Sequence, residues 1–145
     1  MKNLMLTALL LLALGRATAQ VEVKTNPIGL LFEAFPVSIE VVAGDSWGVE
    51  LDAFASSGLD FLYLSGKHYF SPRRGADGFN LGAFMGGAGD DKGKDGFGLG
   101  FFAGYKALSS KRVLLEVALG LGRDFKDELD VLPYFKLHVG YRFGK

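Results

Sequence analysis

From residue 20 onward, apolar and polar positions alternate with a period of two, and no stretch carries a convincing helical stripe. The clearest case is GFGLGFFAGYKA (96–107), where glycines alternate with Phe97, Leu99 and Phe101 before Tyr105. The pattern predicts eight strands, at about 21–33, 35–43, 47–56, 60–70, 78–88, 96–108, 113–123 and 133–143. Turn chemistry separates them: Gly44-Asp45-Ser46, Ser56-Ser57-Gly58, Ser71-Pro72-Arg73-Arg74-Gly75, 89–95, Ser109-Ser110-Lys111 and 126–130. An even number of strands about 9 to 12 residues long fits tilted membrane-spanning strands.

The first strand changes phase. Val21 and Val23 occupy odd positions, whereas Ile28, Leu30 and Phe32 occupy even ones, and the switch falls at Asn26-Pro27. A proline cannot donate to the ladder, and a bulge adds the one residue that flips the phase. The expectation is a bulged strand; the alternative is a strand starting only at Pro27, with 20–26 as a lead-in.

Sorting the strands by parity separates two sets. The first is large and apolar and includes Val37, Ile39, Val41, Val49, Leu51, Leu81, Met85, Leu99, Phe101, Leu115, Val117, Leu119, Leu137 and Val139. The second is small or charged and includes Ser38, Asn80, Gly82, Gly98, Gly100, Ala118, Gly120 and Gly122. An eight-stranded lumen is barely wide enough for packed side chains, so the second set fits inside and the bulky set belongs outside. A soluble lipocalin-like barrel would put the bulky set inside, where it is too large to fit. A β-sandwich could bury it, but its solvent face should not be so rich in glycine. The reading is an all-β, eight-stranded antiparallel up-and-down transmembrane β-barrel, with the apolar set against lipid. For the fourth strand the phase that puts Lys67 inside is taken, which turns Leu62, Leu64 and Phe70 outward.

Projection by strand direction gives two aromatic belts, as expected where a barrel wall meets lipid headgroups. Trp47, Phe70, Phe79, Tyr105, Tyr141 and Phe143 fall near the end that carries the termini, expected to be periplasmic; Phe32, Phe35, Phe97 and Phe135 fall near the other. Inside, Glu40, Glu50, Asp52 and Glu116 project to similar heights as Lys24, Lys67, Lys106 and Arg142, with Lys136 and His138 on the same face. Isolated buried charges are costly, so these groups should pair into a network in the periplasmic half that, with Phe84 and Phe102, plugs the barrel, the alternative being a proton or ion path.

The first nineteen residues read as a signal peptide. Lys2 supplies the positive end, 4–14 a short apolar run, and Ala17-Thr18-Ala19 a cleavage site that leaves Gln20 first. An uncleaved anchor is disfavoured, because roughly 11 apolar residues fall short of the about 20 that span a bilayer. Residues 20–145 then form one domain. No cysteine is present, so neither a lipobox nor a disulfide is available. The 16 basic and 16 acidic residues become 14 and 16 without Lys2 and Arg16, a balance that argues against a nucleic-acid partner.

The closing stretch 136–143 resembles the C-terminal signal read by the outer-membrane barrel-assembly machinery, with Lys136 as its polar position and Gly140, Tyr141 and Phe143 as its glycine and aromatics. It departs from that pattern in continuing to Gly144 and Lys145. More broadly, the chain resembles a family of small secreted β-barrels whose domain has no assigned function. The likeness rests on Lys24-Thr25-Asn26-Pro27-Ile28-Gly29-Leu30, the Pro-Val-Ser-Ile-Glu of 36–40, Lys67-His68-Tyr69-Phe70 and the GFFAGYK of 100–106. It implies an OmpA/OmpX-like eight-stranded barrel in the bacterial outer membrane, and no activity.

Other chemistry is sparse. Gly96-x-Gly98-x-Gly100 continues as strand, without the turn and helix that aim amides at a phosphate. Asp90-Asp91-Lys92-Gly93-Lys94-Asp95 lacks the ligand spacing of a calcium loop. Some small outer-membrane barrels are hydrolases or acyltransferases with a His-Ser-acid set. Beside His68 and His138, however, the positions two residues away are Gly66, Phe70, Lys136 and Gly140. The expectation is a non-enzymatic barrel without metal or cofactor, in a structural or envelope role, its partners being outer-membrane lipids and the assembly machinery. The alternative is a soluble or surface barrel that binds a small hydrophobic ligand.

Overall fold

A computed structural model of the chain describes residues 20–126 and 131–144; the proposed signal peptide, 127–130 of the last turn and Lys145 lie outside them. Eight strands run in chain order around a closed antiparallel barrel. They are β1 (Gln20–Thr25), β2 (Phe35–Ala43), β3 (Trp47–Ala55), β4 (Leu59–Tyr69), β5 (Gly78–Asp90), β6 (Asp95–Leu108), β7 (Val113–Asp124) and β8 (Leu132–Phe143). Each pairs with the next, and β8 pairs with β1. The described part of both termini, and the β2–β3, β4–β5 and β6–β7 turns, lie at one end, here called lower.

The register fixes the barrel's width. Starting at Val23, the ladder passes through Ile39, Leu51, Leu64, Met85 and Leu99 to Arg123. Extending the β7–β8 register from Val113↔Tyr141 sets Arg123 opposite residue 131, whereas the closing pair sets Val23 opposite Tyr141. One circuit therefore shifts the register by ten residues. With ordinary strand spacings this corresponds to a tilt of about 40° and a backbone radius of about 8 Å.

That lumen is roomy enough for rings, and it holds more of them than the volume argument allowed. Tyr63, Tyr69, Phe84, Phe102 and Tyr134 are all buried. Glycines opposite make the space. A Cβ on Gly122 would come within 2.8 Å of Phe84, and one on Gly82 or Gly120 would meet Phe102. The alternation itself follows the sequence closely. Along β6, Phe97, Leu99, Phe101 and Tyr105 are exposed while Gly98, Gly100, Phe102, Gly104 and Lys106 are buried. In β4, Leu62, Leu64 and the following Phe70 point out and Lys67 points in.

The first strand is where the expectation fails. β1 ends at Thr25, and Pro27–Leu31 form a short helix, α1, so there is neither a bulge nor a strand from Pro27. Asn26 caps it, its side chain accepting from the Ile28 and Gly29 amides at 3.0 and 3.2 Å. Pro27 fits the first turn, where its missing N–H costs nothing. The phase switch marks a helix start. Phe32, expected on a strand, ends that helix instead and lies exposed at the upper rim.

The early end of β1 leaves a notch. β1 pairs with β8 only from Val139 to Phe143, and with β2 only from Ser38 to Val42. Above that level β8 and β2 have no strand between them. α1 sits over the gap, with Gly29 packed on Pro36 and Phe54.

Candidate functional site

The lumen has two tiers. The lower one is ionic: Lys24, Lys67, Lys106, Lys136 and Arg142 face Glu22, Glu40, Glu50, Asp52 and Glu116, all buried. These named groups are five of each sign, so the tier carries no net charge when His138 is neutral. Lys24 stands at its centre, against Glu40, Glu50 and Glu116. Lys67 touches the same three carboxylates. Lys106 joins Glu22 at 2.7 Å to Glu40 at 2.9 Å, over the Tyr69 ring. Lys136 bridges Glu50 at 2.8 Å and Asp52 at 2.9 Å. Tyr69 donates to Glu40 at 2.7 Å, and Ser38 donates to Glu50.

These contacts join seven strands, since the groups lie on β1, β2, β3, β4, β6, β7 and β8, and β5 contributes the neutral Asn80. All ten groups of the expected network are inside. His138 stays at its margin, with Nδ1 3.8 Å from Asp52 and 3.9 Å from Glu50. Two carboxylate sets, Glu40-Glu50-Glu116 and Glu50-Asp52-His138, have the spacing to surround a cation. Lysine ammoniums already occupy those positions: Lys24 and Lys67 in the first, Lys136 in the second.

Sequence reasoning omitted Glu22, Tyr69 and Tyr134. Glu22 shares the parity of Lys24 and was legible, but the uncertain phase of the first strand obscured it. Tyr69 shares the parity of Lys67, and Tyr134 that of Lys136, so both were legible on the phases that place those lysines inside.

The lower end is closed by the β4–β5 turn. Arg142 donates through Nε to Glu22 at 2.7 Å, and its Nη atoms donate to the carbonyls of Arg74, Gly75 and Ala76. Asp77 accepts from the Arg73 and Arg74 amides, and the Ala76 amide donates to the Asp45 carbonyl. Ala76 is thereby fully buried against Val42 and Tyr69.

The upper tier is aromatic. Tyr63, Phe84, Phe102 and Tyr134 form one cluster, continued by Phe61, which stacks on Phe54. Above and beside it lies a cavity of about 260 Å³, walled by Leu59, Phe61, Tyr134 and Leu132 and floored by Asp52, Lys136 and His138.

Outside, the polarity is reversed. Val37, Ile39, Val49, Leu51, Leu64, Leu81, Met85, Leu99, Leu115, Val117, Leu119 and Leu121 are exposed on the wall. The proposed belt residues are exposed too: Trp47, Phe70, Phe79, Tyr105, Tyr141 and Phe143 toward the lower end, and Phe35, Phe97 and Phe135 on upper halves of their strands. His68 lies outside between Trp47 and Phe70, its ring 4.7 and 4.9 Å from theirs. Gly140, Tyr141 and Phe143 lie on β8, with Tyr141 and Phe143 outward at its seam with β1. No helix among the described residues is long and apolar enough to cross a membrane, which says nothing of crossing by strands.

A scan against protein-family models finds no match, and searches of curated proteins and of solved structures find none either.

Proposed function

We propose that this protein is a non-enzymatic β-barrel of the bacterial outer membrane, with a plugged lumen and a structural role in the envelope. The observation that carries the reading is the inversion of polarity: charges fill the interior while aliphatic and aromatic side chains cover the outside. In water that arrangement exposes a continuous apolar surface far beyond what soluble proteins tolerate. In a bilayer the same surface is satisfied. At a 40° tilt, the nine residues of β2 or β3 rise roughly 23 Å, close to the height of the apolar band of outer-membrane barrels.

The role follows from the interior. A balanced, mutually paired network offers no free charge to draw ions through, and the turn held by Arg142 closes one end. On this reading lipids are the principal partner. The nineteen-residue leader directs export, and the Gly140, Tyr141 and Phe143 pattern engages the assembly machinery.

Cell fractionation followed by gels of unheated and heated samples tests this. The protein should appear in the outer-membrane fraction, with a folded band that shifts on boiling. Recovery in the soluble periplasmic fraction without a heat-modified band would contradict the proposal.

A further inference from the structure

We infer that the upper lumen and its side notch form a binding site for one uncharged, ring-bearing molecule with a hydroxyl group. The inference rests on lumen geometry and is independent of what surrounds the barrel. Its first ground is access. A second cavity of about 190 Å³ adjoins the first, and both include Asp52, Phe61, Phe135 and His138. Phe135 and Ala53 face outward while Asp52, His138 and Phe61 face inward, so this cavity passes through the plane of the wall. It does so at the notch that β1 leaves by ending at Thr25. A strand reaching residue 33 would have sealed it.

The second ground is a pair of unsatisfied atoms. Asp52 is 3% exposed and His138 8%, yet Asp52 Oδ1 and His138 Nδ1 have no hydrogen-bond partner. They lie 3.8 Å apart on the cavity floor. Buried polar groups in folded proteins are nearly always paired, so this pair points to a bound group. One hydroxyl serves both: it donates to the Asp52 carboxylate and accepts from the Nδ1–H tautomer of His138. The other Asp52 oxygen is engaged by Lys136 at 2.9 Å.

Charge and shape narrow the class. The five acidic and five basic groups below already balance, so a charged ligand would add an uncompensated buried charge. The walls are stacked rings, Phe54 on Phe61 at 4.9 Å and 3°, then Phe61 on Tyr63 at 4.9 Å and 21°. A flat apolar body matches such walls, and a cavity near 150 Å³ already accepts a benzene ring. The closed lower end makes the site a blind pocket and not a channel.

The test uses 2-naphthol and its methyl ether, 2-methoxynaphthalene, on the purified full-length barrel in detergent. Equilibrium dialysis against protein-free micelles subtracts partitioning. We expect saturable binding of one 2-naphthol per barrel, and about tenfold weaker binding of the ether, which cannot donate. Ala88 on β5 also lines the cavity, away from the ionic tier, and Ala88→Trp should abolish binding while the folded gel band persists. Asp52→Asn should narrow the difference between the two probes. Equal binding of both probes to the wild type, or saturable binding that survives Ala88→Trp, would overturn the inference. So would no binding above micelle controls, which would assign the two floor atoms to water.

Discussion

Lys24 and Glu116, 92 residues apart in the chain, meet in the lumen with Nζ 2.5 Å from Oε2. Their contact ties β1 to β7 across a strand that lies between them. Lys24 also touches Glu40 and Glu50, so removing its charge leaves Glu116 with Lys67 alone and takes one buried cation from each of the other two carboxylates. Lys24→Met should therefore cost about 3–5 kcal/mol in urea unfolding. Lys126→Ala, which breaks an exposed pair with Asp95, should cost less than about 1 kcal/mol. Equal losses would show that the lumen network does not hold the barrel together.

Glycine crowding gives a second contrast. A Cβ on Gly100 would press on Gly122 Cα and the Leu121 carbonyl, and lie 2.7 Å from Phe84, whereas one on Gly66 meets nothing within 4 Å. Gly100→Ala should destabilise by about 1–3 kcal/mol, as overpacking does. Gly66→Ala should be neutral within about 0.5 kcal/mol. The same unfolding experiment reads both, and a harmless Gly100→Ala would contradict the two-tier packing.

Arg142 should decide whether the lower end stays shut. Its guanidinium holds the carbonyls of Arg74, Gly75 and Ala76. In Arg142→Ala, trypsin should cut after Arg73 or Arg74 at least tenfold faster than in the wild type, as local opening becomes cheaper. The wild type should pass no measurable current in planar bilayers; a steady open conductance would contradict the plugged lumen.

Asn26→Ala should remove the cap of α1 and cost about 1 kcal/mol, with Asn26→Asp or Asn26→Ser restoring most of it. Loss of stability in none of the three variants would mean that the helix contributes nothing to the rim.

Most of this architecture was legible because strand periodicity is strict. In β6 and β7 each odd position faces out and each even one in, and Lys106 and Glu116 mark the inner face. Lys67 fixed the phase of β4, where hydrophobicity on both faces (Leu62 and Leu64 against Phe61 and Tyr63) could not. Two features were hidden. Asn26-Pro27 serves equally as a bulge or as a helix cap, and only the missing ladder above Thr25 separates them. That rings as large as Tyr69 and Tyr134 fit inside was the second, because lumen width depends on shear, a property of the whole closed circuit that no single strand encodes.

Trp47 offers the most direct test of the central claim, that the apolar wall faces lipid. It is the one tryptophan in the sequence, exposed on the first residue of β3 near the lower rim. In vesicles of brominated phosphatidylcholine its fluorescence should be quenched strongly, most by bromines placed nearest the headgroups, while aqueous iodide quenches weakly. Strong iodide quenching with no effect of bromine at any depth would contradict a lipid-facing wall.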